Sequence, residues 1–127
     1  MRKSPVDPNL GLRIEVAMRR SGLNATELAA LVGKSPGAVS HWIKGRNEPS
    51  RSTITALSKA LKVSAEWLMG SNLSDEDLAF ERLLLRAVRK LQDEGDLRTA
   101  ERVVVLMEEL GAQRALEALE REASKKV

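Results

Sequence analysis

The sequence contains no cysteine, no tyrosine, one phenylalanine (Phe80) and one histidine (His41). Without cysteine there is no disulfide framework, no thiolate zinc site and no thiol chemistry. The lone imidazole has no second ligand or acid–base partner at motif spacing, so neither metal binding nor general-base catalysis is expected of it. Two tryptophans and one phenylalanine are too few for the stacking platform of a single-strand binder. No apolar run approaches the roughly 20 residues of a membrane span, and MRKSPVDPNL lacks the apolar centre of a signal peptide. No nucleophile–base set, metal-ligand cluster or glycine-rich phosphate loop is present, so neither an enzyme nor a cofactor is expected. These absences lead to the expectation of a cytoplasmic protein with no membrane partner.

What is present is a chain of 127 residues with 43% hydrophobic content, enough for one domain or a small domain with an appendage. The net charge of +3 is unevenly placed. Residues 1–72 carry eleven Lys/Arg against five Asp/Glu, a balance of +6, and residues 73–127 carry ten against thirteen, a balance of −3. A basic front and an acidic back suit a polyanion-binding head with a tail that does something else. Chance asymmetry among solvated charges gives the same figures, so the split carries little by itself.

The stretch Asn24–Gly45, NATELAALVGKSPGAVSHWIKG, is the most organised part of the chain. Asn24 and Glu27 have capping-box spacing, and Leu28, Ala29 and Val32 follow at helical spacing. Gly33 stands where a helix stops, because positive φ satisfies the last carbonyls without steric cost. Ser35 is a good N-cap and Pro36 fits the first helical position. Val39, Trp42 and Ile43 form the apolar stripe of the second helix, and Gly45 ends it. The other face carries Gly37, Ser40, His41 and Lys44. The pattern predicts two short helices joined by a tight turn, the second presenting a small, polar, cationic face.

At these residues the sequence resembles the phage repressor/Cro-type (xenobiotic-response-element) family of helix-turn-helix regulators. TELAALVGKSPGAVSHWIKGRNEPS is similar to the motif itself. GLRIEVAMRRSGL resembles the family's first helix, and STITALSKALKVSAEWLMG its fourth and fifth. The similarity covers roughly residues 8 to 70. It implies an all-α fold: a five-helix lambda-repressor-like domain, followed here by two or three C-terminal helices. It also implies a sequence-specific, double-stranded DNA-binding transcriptional regulator, most simply a homodimeric repressor on a palindromic operator. Carried over position by position, Pro36, Gly37, Ser40 and His41 would lie nearest the bases, and Thr26, Lys34, Ser35, Lys44 and Arg46 nearest the phosphates.

The sequence departs from the family pattern twice. Relatives often pair an Arg late in the first helix with a Glu late in the recognition helix; here those positions resemble Met18 and Ile43. An apolar contact in place of a buried ion pair leaves the scaffold intact. Relatives also place long polar side chains where Pro36 and Gly37 stand, so direct readout must rest on few groups and on DNA shape.

The remaining expectations follow chain order. Residues 1–8 form an arm in which Arg2 and Lys3 are candidates for phosphate contact, although composition favours an unstructured segment. Residues 9–70 are the DNA-binding domain. Its first helix runs from about Asn9 to Arg20 with Leu10, Ile14, Ala17 and Met18 inward, and Arg13, Arg19 and Arg20 mostly outward. Trp42 and Trp67 are core anchors. Residues 71–74 are a hinge, and 75–127 a helical region that dimerises. Five consecutive apolar residues, Val103–Met107, cover every direction of a helix and demand more than one partner. A second copy supplies it most simply, with packing onto the head as the competing arrangement. The interface is expected to use Leu84, Val88, Leu91, Val103, Val104, Leu106, Met107, Leu110, Leu116 and Leu119. Ala112, Leu116, Leu119 and Ala123 add a short coiled-coil-like seam. Two other functions remain open: an autoregulating antitoxin whose tail binds a small protein partner, and a protein-interaction module that reuses the fold without reading DNA.

Overall fold

In a computed structural model, which describes residues 9–70 and 73–125, the chain is all helical. The expected arm at 1–8 and the first half of the expected hinge, residues 71 and 72, lie outside the described residues, as do 126 and 127. Two compact units are present, Met1–Asn72 and Leu73–Val127.

The first unit contains α1 (Leu10–Ser21), α2 (Ala25–Val32), α3 (Pro36–Ile43), α4 (Arg51–Leu61) and α5 (Ala65–Met69). None is long enough to stand alone in water, and each of the last four begins at a side-chain cap. Asn24, Ser35, Ser50 and Ser64 each accept a hydrogen bond from the backbone N–H three residues on. Their apolar faces meet in one cluster that includes Ile14, Leu28, Val39, Trp42, Leu57 and Leu68. Trp67 packs on its margin, less deeply than a core anchor.

The first helix differs from its expected amphipathic form. Arg13 is fully buried, not outward, and its Nη1 donates to the Leu68 carbonyl oxygen at 2.8 Å. With Gly11, Val16 and Met18 also buried, α1 is enclosed over more than half its circumference. The physical reason lies at the end of α5, whose last turn leaves carbonyls without intrahelical donors. A guanidinium reaching one of them ties the first helix to the fifth. Met18 lies in the core and Ile43 packs against the same cluster.

The second unit is a three-helix bundle of α6 (Asp75–Asp93), α7 (Leu97–Leu110) and α8 (Ala112–Lys125), each packed on the other two. Ser74 caps α6 by accepting from the Asp77 N–H at 3.1 Å, and Asp75, Glu76 and Asp77 occupy its first turn, where the macrodipole favours acids. Asp96 caps α7 in the same way. Gly111 alone separates α7 from α8, at φ 84. Arg102 on α7 pairs with Glu122 on α8. That hydrogen bond, and then the carboxylate charge, hold the guanidinium still more firmly protonated than usual.

The bundle corrects the reading of the apolar run. Val103, Val104 and Met107, together with Leu84 and Val88, are buried inside this unit and are not presented to a second copy. Three helices of one chain supply the several partners that the run demands, an arrangement the expectation of a second copy or a docked head did not include. Leu91, Leu106, Leu116 and Leu119 are half-buried and Leu110 is exposed. On α8 the fully buried residue is Ala115, while Ala123 of the expected seam is exposed.

Candidate nucleic-acid interface

The interface is built from α2, α3 and the turn between them. Asn24 Oδ1 accepts from the Glu27 N–H at 2.8 Å, and the Asn24 N–H donates back to Glu27 Oε1 at 2.9 Å. This reciprocal cap fixes the start of α2 and engages the Glu27 carboxylate. At the other end Gly33 adopts φ 70, and the Lys34 N–H returns to the Ala29 carbonyl at 2.9 Å. The chain then needs only Lys34 and Ser35 to enter α3.

The third helix is seated by its buried side chains and by close backbone contact. Val39 and Trp42 are buried on one face. A Cβ added at Gly11 would lie 2.2 Å from the Ile43 carbonyl oxygen and 2.8 Å from that of Trp42. The last turn of α3 therefore rests directly on the backbone of α1, at a distance only glycine permits. The opposite face of α3 is left to solvent.

The structure brings the sequence-predicted residues to that solvent side of the motif. Pro36, Gly37, His41 and Lys44 on and just after α3 are exposed, with Ser40 half-buried beside them. Thr26 in the first turn of α2, Lys34 and Ser35 in the turn, and Arg46 beyond α3 are also exposed. Gly37, Ser40, His41 and Lys44 follow three-to-four spacing and share one face. No acid occurs in α3, whereas Lys34, Lys44 and Arg46 flank it, so the face is cationic.

The start of α3 has a further property. Pro36 has no N–H, and Ser35 Oγ accepts from the Ala38 N–H at 3.1 Å. The Val39 N–H reaches the Ser35 carbonyl, so Gly37 is the first-turn residue whose N–H has no acceptor within the helix. A Cβ there would meet only Ser35 Oγ, at 3.8 Å. The chain's own packing therefore does not require glycine at 37.

Three residues escaped sequence reasoning. Asn47 Nδ2 lies 3.3 Å from His41 Nδ1, a contact that ties the segment after α3 to the ring. The polar run after Gly45 carries no pattern that reveals this pairing. Gly11 had a signal: a glycine within a helix costs about 1 kcal/mol and usually marks a close approach. Arg13 had none, because charge at that position reads as a solvated face.

Residues 14–68 match a family model described as helix-turn-helix. Over 71 residues the chain is 32% identical to "Repressor protein C2" of Salmonella phage P22, an alignment covering 56% of this chain and 33% of that protein. The chain thus spans about a third of the length of this curated relative. No solved structure matches. Residues 14–68, which lie within the first unit, are thus similar to a helix-turn-helix domain, and part of the chain is similar to a phage repressor.

Proposed function

We propose that this protein is a sequence-specific, double-stranded DNA-binding transcriptional regulator, acting as a homodimeric repressor on a palindromic operator. The observation that carries the reading is the exposed, acid-free face of α3, with Gly37, His41 and Lys44 on one side of a helix seated by Val39, Trp42 and Gly11. A helix so placed fits the major groove, where each base pair has its own donor and acceptor pattern. The exposed His41 imidazole suits a polar base edge, and Ser40 suits donors or acceptors. The Gly37 backbone suits close approach to a base edge or phosphate. Thr26, Lys34, Ser35, Lys44 and Arg46 hold the backbone on either side. The aligned relative is named as a repressor, which supports this direction of regulation. Residues 9–70 form the DNA-binding part in this reading and 75–127 the dimerising part, at work in the cytoplasm.

The test is binding of the intact chain to genomic DNA fragments, followed by footprinting and a salt titration. Paired protected half-sites are expected, with log affinity falling by about 0.9 per phosphate neutralised for each unit of log salt. Reversing Lys34, Lys44 and Arg46 to Glu together is expected to flatten that slope by about 2.7 and to abolish footprints at moderate salt. A slope unchanged by the triple reversal overturns the interface. Co-purification of a small partner on the second unit, with no footprint, favours the antitoxin or interaction-module readings instead.

A further inference from the structure

Within the second unit, α6 uses one face for the bundle and leaves the other open. Glu81, Leu84, Leu85 and Val88 point into the bundle, whereas Leu83 is 63% exposed, the most exposed large apolar side chain among the described residues. Ala79 and Ala87 lie four residues to either side of it on the same face, and both are exposed. Glu76 and Lys90 lie seven residues to either side, again on that face and exposed. At these four- and seven-residue positions the stripe is symmetric about Leu83 in size and antisymmetric in charge, with half-buried Phe80 and exposed Arg86 flanking it three residues to either side.

We propose that this stripe is the contact between two copies of the chain, with α6 packed antiparallel on α6 about a two-fold axis through Leu83. The inference rests on the homodimer reading and names its interface. In that pairing Leu83 meets Leu83 of the second copy, Ala79 meets Ala87, and Glu76 meets Lys90, each cross-pair occurring twice. Small residues on both sides of the leucine let the helices approach closely, and antiparallel macrodipoles attract. The acidic first turn, Asp75–Asp77, comes to the basic end of the other copy's helix. A parallel pairing sets Glu76 on Glu76 and Lys90 on Lys90, so charge selects the two-fold arrangement. Of the leucines expected from sequence to meet a second copy, Leu84 is buried inside the bundle, and Leu83 was not among them.

Sedimentation of the intact chain tests this. The wild-type protein is expected to be a dimer at micromolar concentration, and Leu83→Glu a folded monomer, with association weakened by roughly a hundredfold or more. Glu76→Lys or Lys90→Glu alone is expected to weaken the dimer roughly tenfold, through two lost pairs and two repulsions. The double exchange Glu76→Lys/Lys90→Glu restores it. Because the chain has no cysteine, Leu83→Cys is expected to form a covalent dimer on oxidation. Ala79→Cys alone is not expected to, whereas Ala79→Cys with Ala87→Cys is. A wild-type monomer, a dimer indifferent to Leu83→Glu, or single reversals that the double exchange does not rescue overturns the proposal. Duplex-DNA binding, measured on the same samples, separates this from the functional reading. If Leu83→Glu splits a dimer that never binds DNA, the regulator reading falls and the contact stands. If paired half-sites are bound by a dimer that Leu83→Glu leaves whole, the contact falls and the regulator reading stands.

Discussion

The two units hold their helices together in different ways. The first has helices of five to twelve residues, and it depends on ends and close contacts: four side-chain caps, a glycine pressed on a carbonyl, and a buried guanidinium on another. The second has helices of fourteen to nineteen residues, whose long apolar stripes pack on one another with few special devices. Short helices bury little area each, so their orientation must be fixed at points. Long amphipathic helices are oriented by a continuous seam, and tolerate variation along it. A surface that must meet another molecule in one geometry is better mounted on the first kind of scaffold.

This contrast breaks first at Gly11. Gly11→Ala is expected to cost about 3 kcal/mol or more, since backbone atoms cannot withdraw from a Cβ at 2.2 Å. Denaturation followed by Trp42 and Trp67 fluorescence, both in the first unit, reports it directly. A loss below about 1 kcal/mol would show that α3 is not pinned to α1.

A comparable change in the second unit is Leu85→Ala, at a side chain with no exposed area. It is expected to cost about 3 kcal/mol through the cavity left behind. Far-ultraviolet circular dichroism should lose helix at lower denaturant while tryptophan fluorescence holds its midpoint. Coincident shifts by both probes would mean that the two units unfold as one, and the contrast would need restating.

Asn24→Ala tests the dependence on caps. It removes one half of the reciprocal pair with Glu27 and is expected to cost about 1 kcal/mol. The same change at Asp96, which caps a helix supported by a long seam, is expected to change the melting temperature of the second unit less. Equal losses would count against the distinction between the units.

The smallest stability effect is the most informative about function. Gly37→Ala has room for its methyl group and is expected to stabilise the first unit by up to about 1 kcal/mol. DNA affinity is expected to fall in the same variant, because the added Cβ stands between the helix start and the groove. A variant both more stable and equally tight in binding would remove Gly37 from the interface.

Much of the first unit was open to sequence reasoning because its signals are local. The reciprocal Asn24–Glu27 cap, the Gly33 stop, the Ser35–Pro36 start and the helix bounds from Arg51 to Leu61 follow from residues a turn apart. The exposed face of α3 followed from its spacing for the same reason. Arg13 and Asn47 were missed because their partners, Leu68 and His41, are defined only once the chain has folded. In the second unit the helices were legible but their pairing was not: periodicity says which face is apolar, not what covers it.

The sequence by itself determined which segments become helices, where they start and stop, and that the face of α3 bearing Gly37, His41 and Lys44 is polar and free of acids. Those properties depend on dihedral preferences and hydrogen bonds within one turn of chain. Only the tertiary structure decided that Gly11 carries the weight of α3, that a charge at 13 belongs inside, and that Val103–Met107 is satisfied by its own bundle while Leu83 is left outside. Those outcomes depend on contacts between residues distant in the chain, which no local pattern encodes.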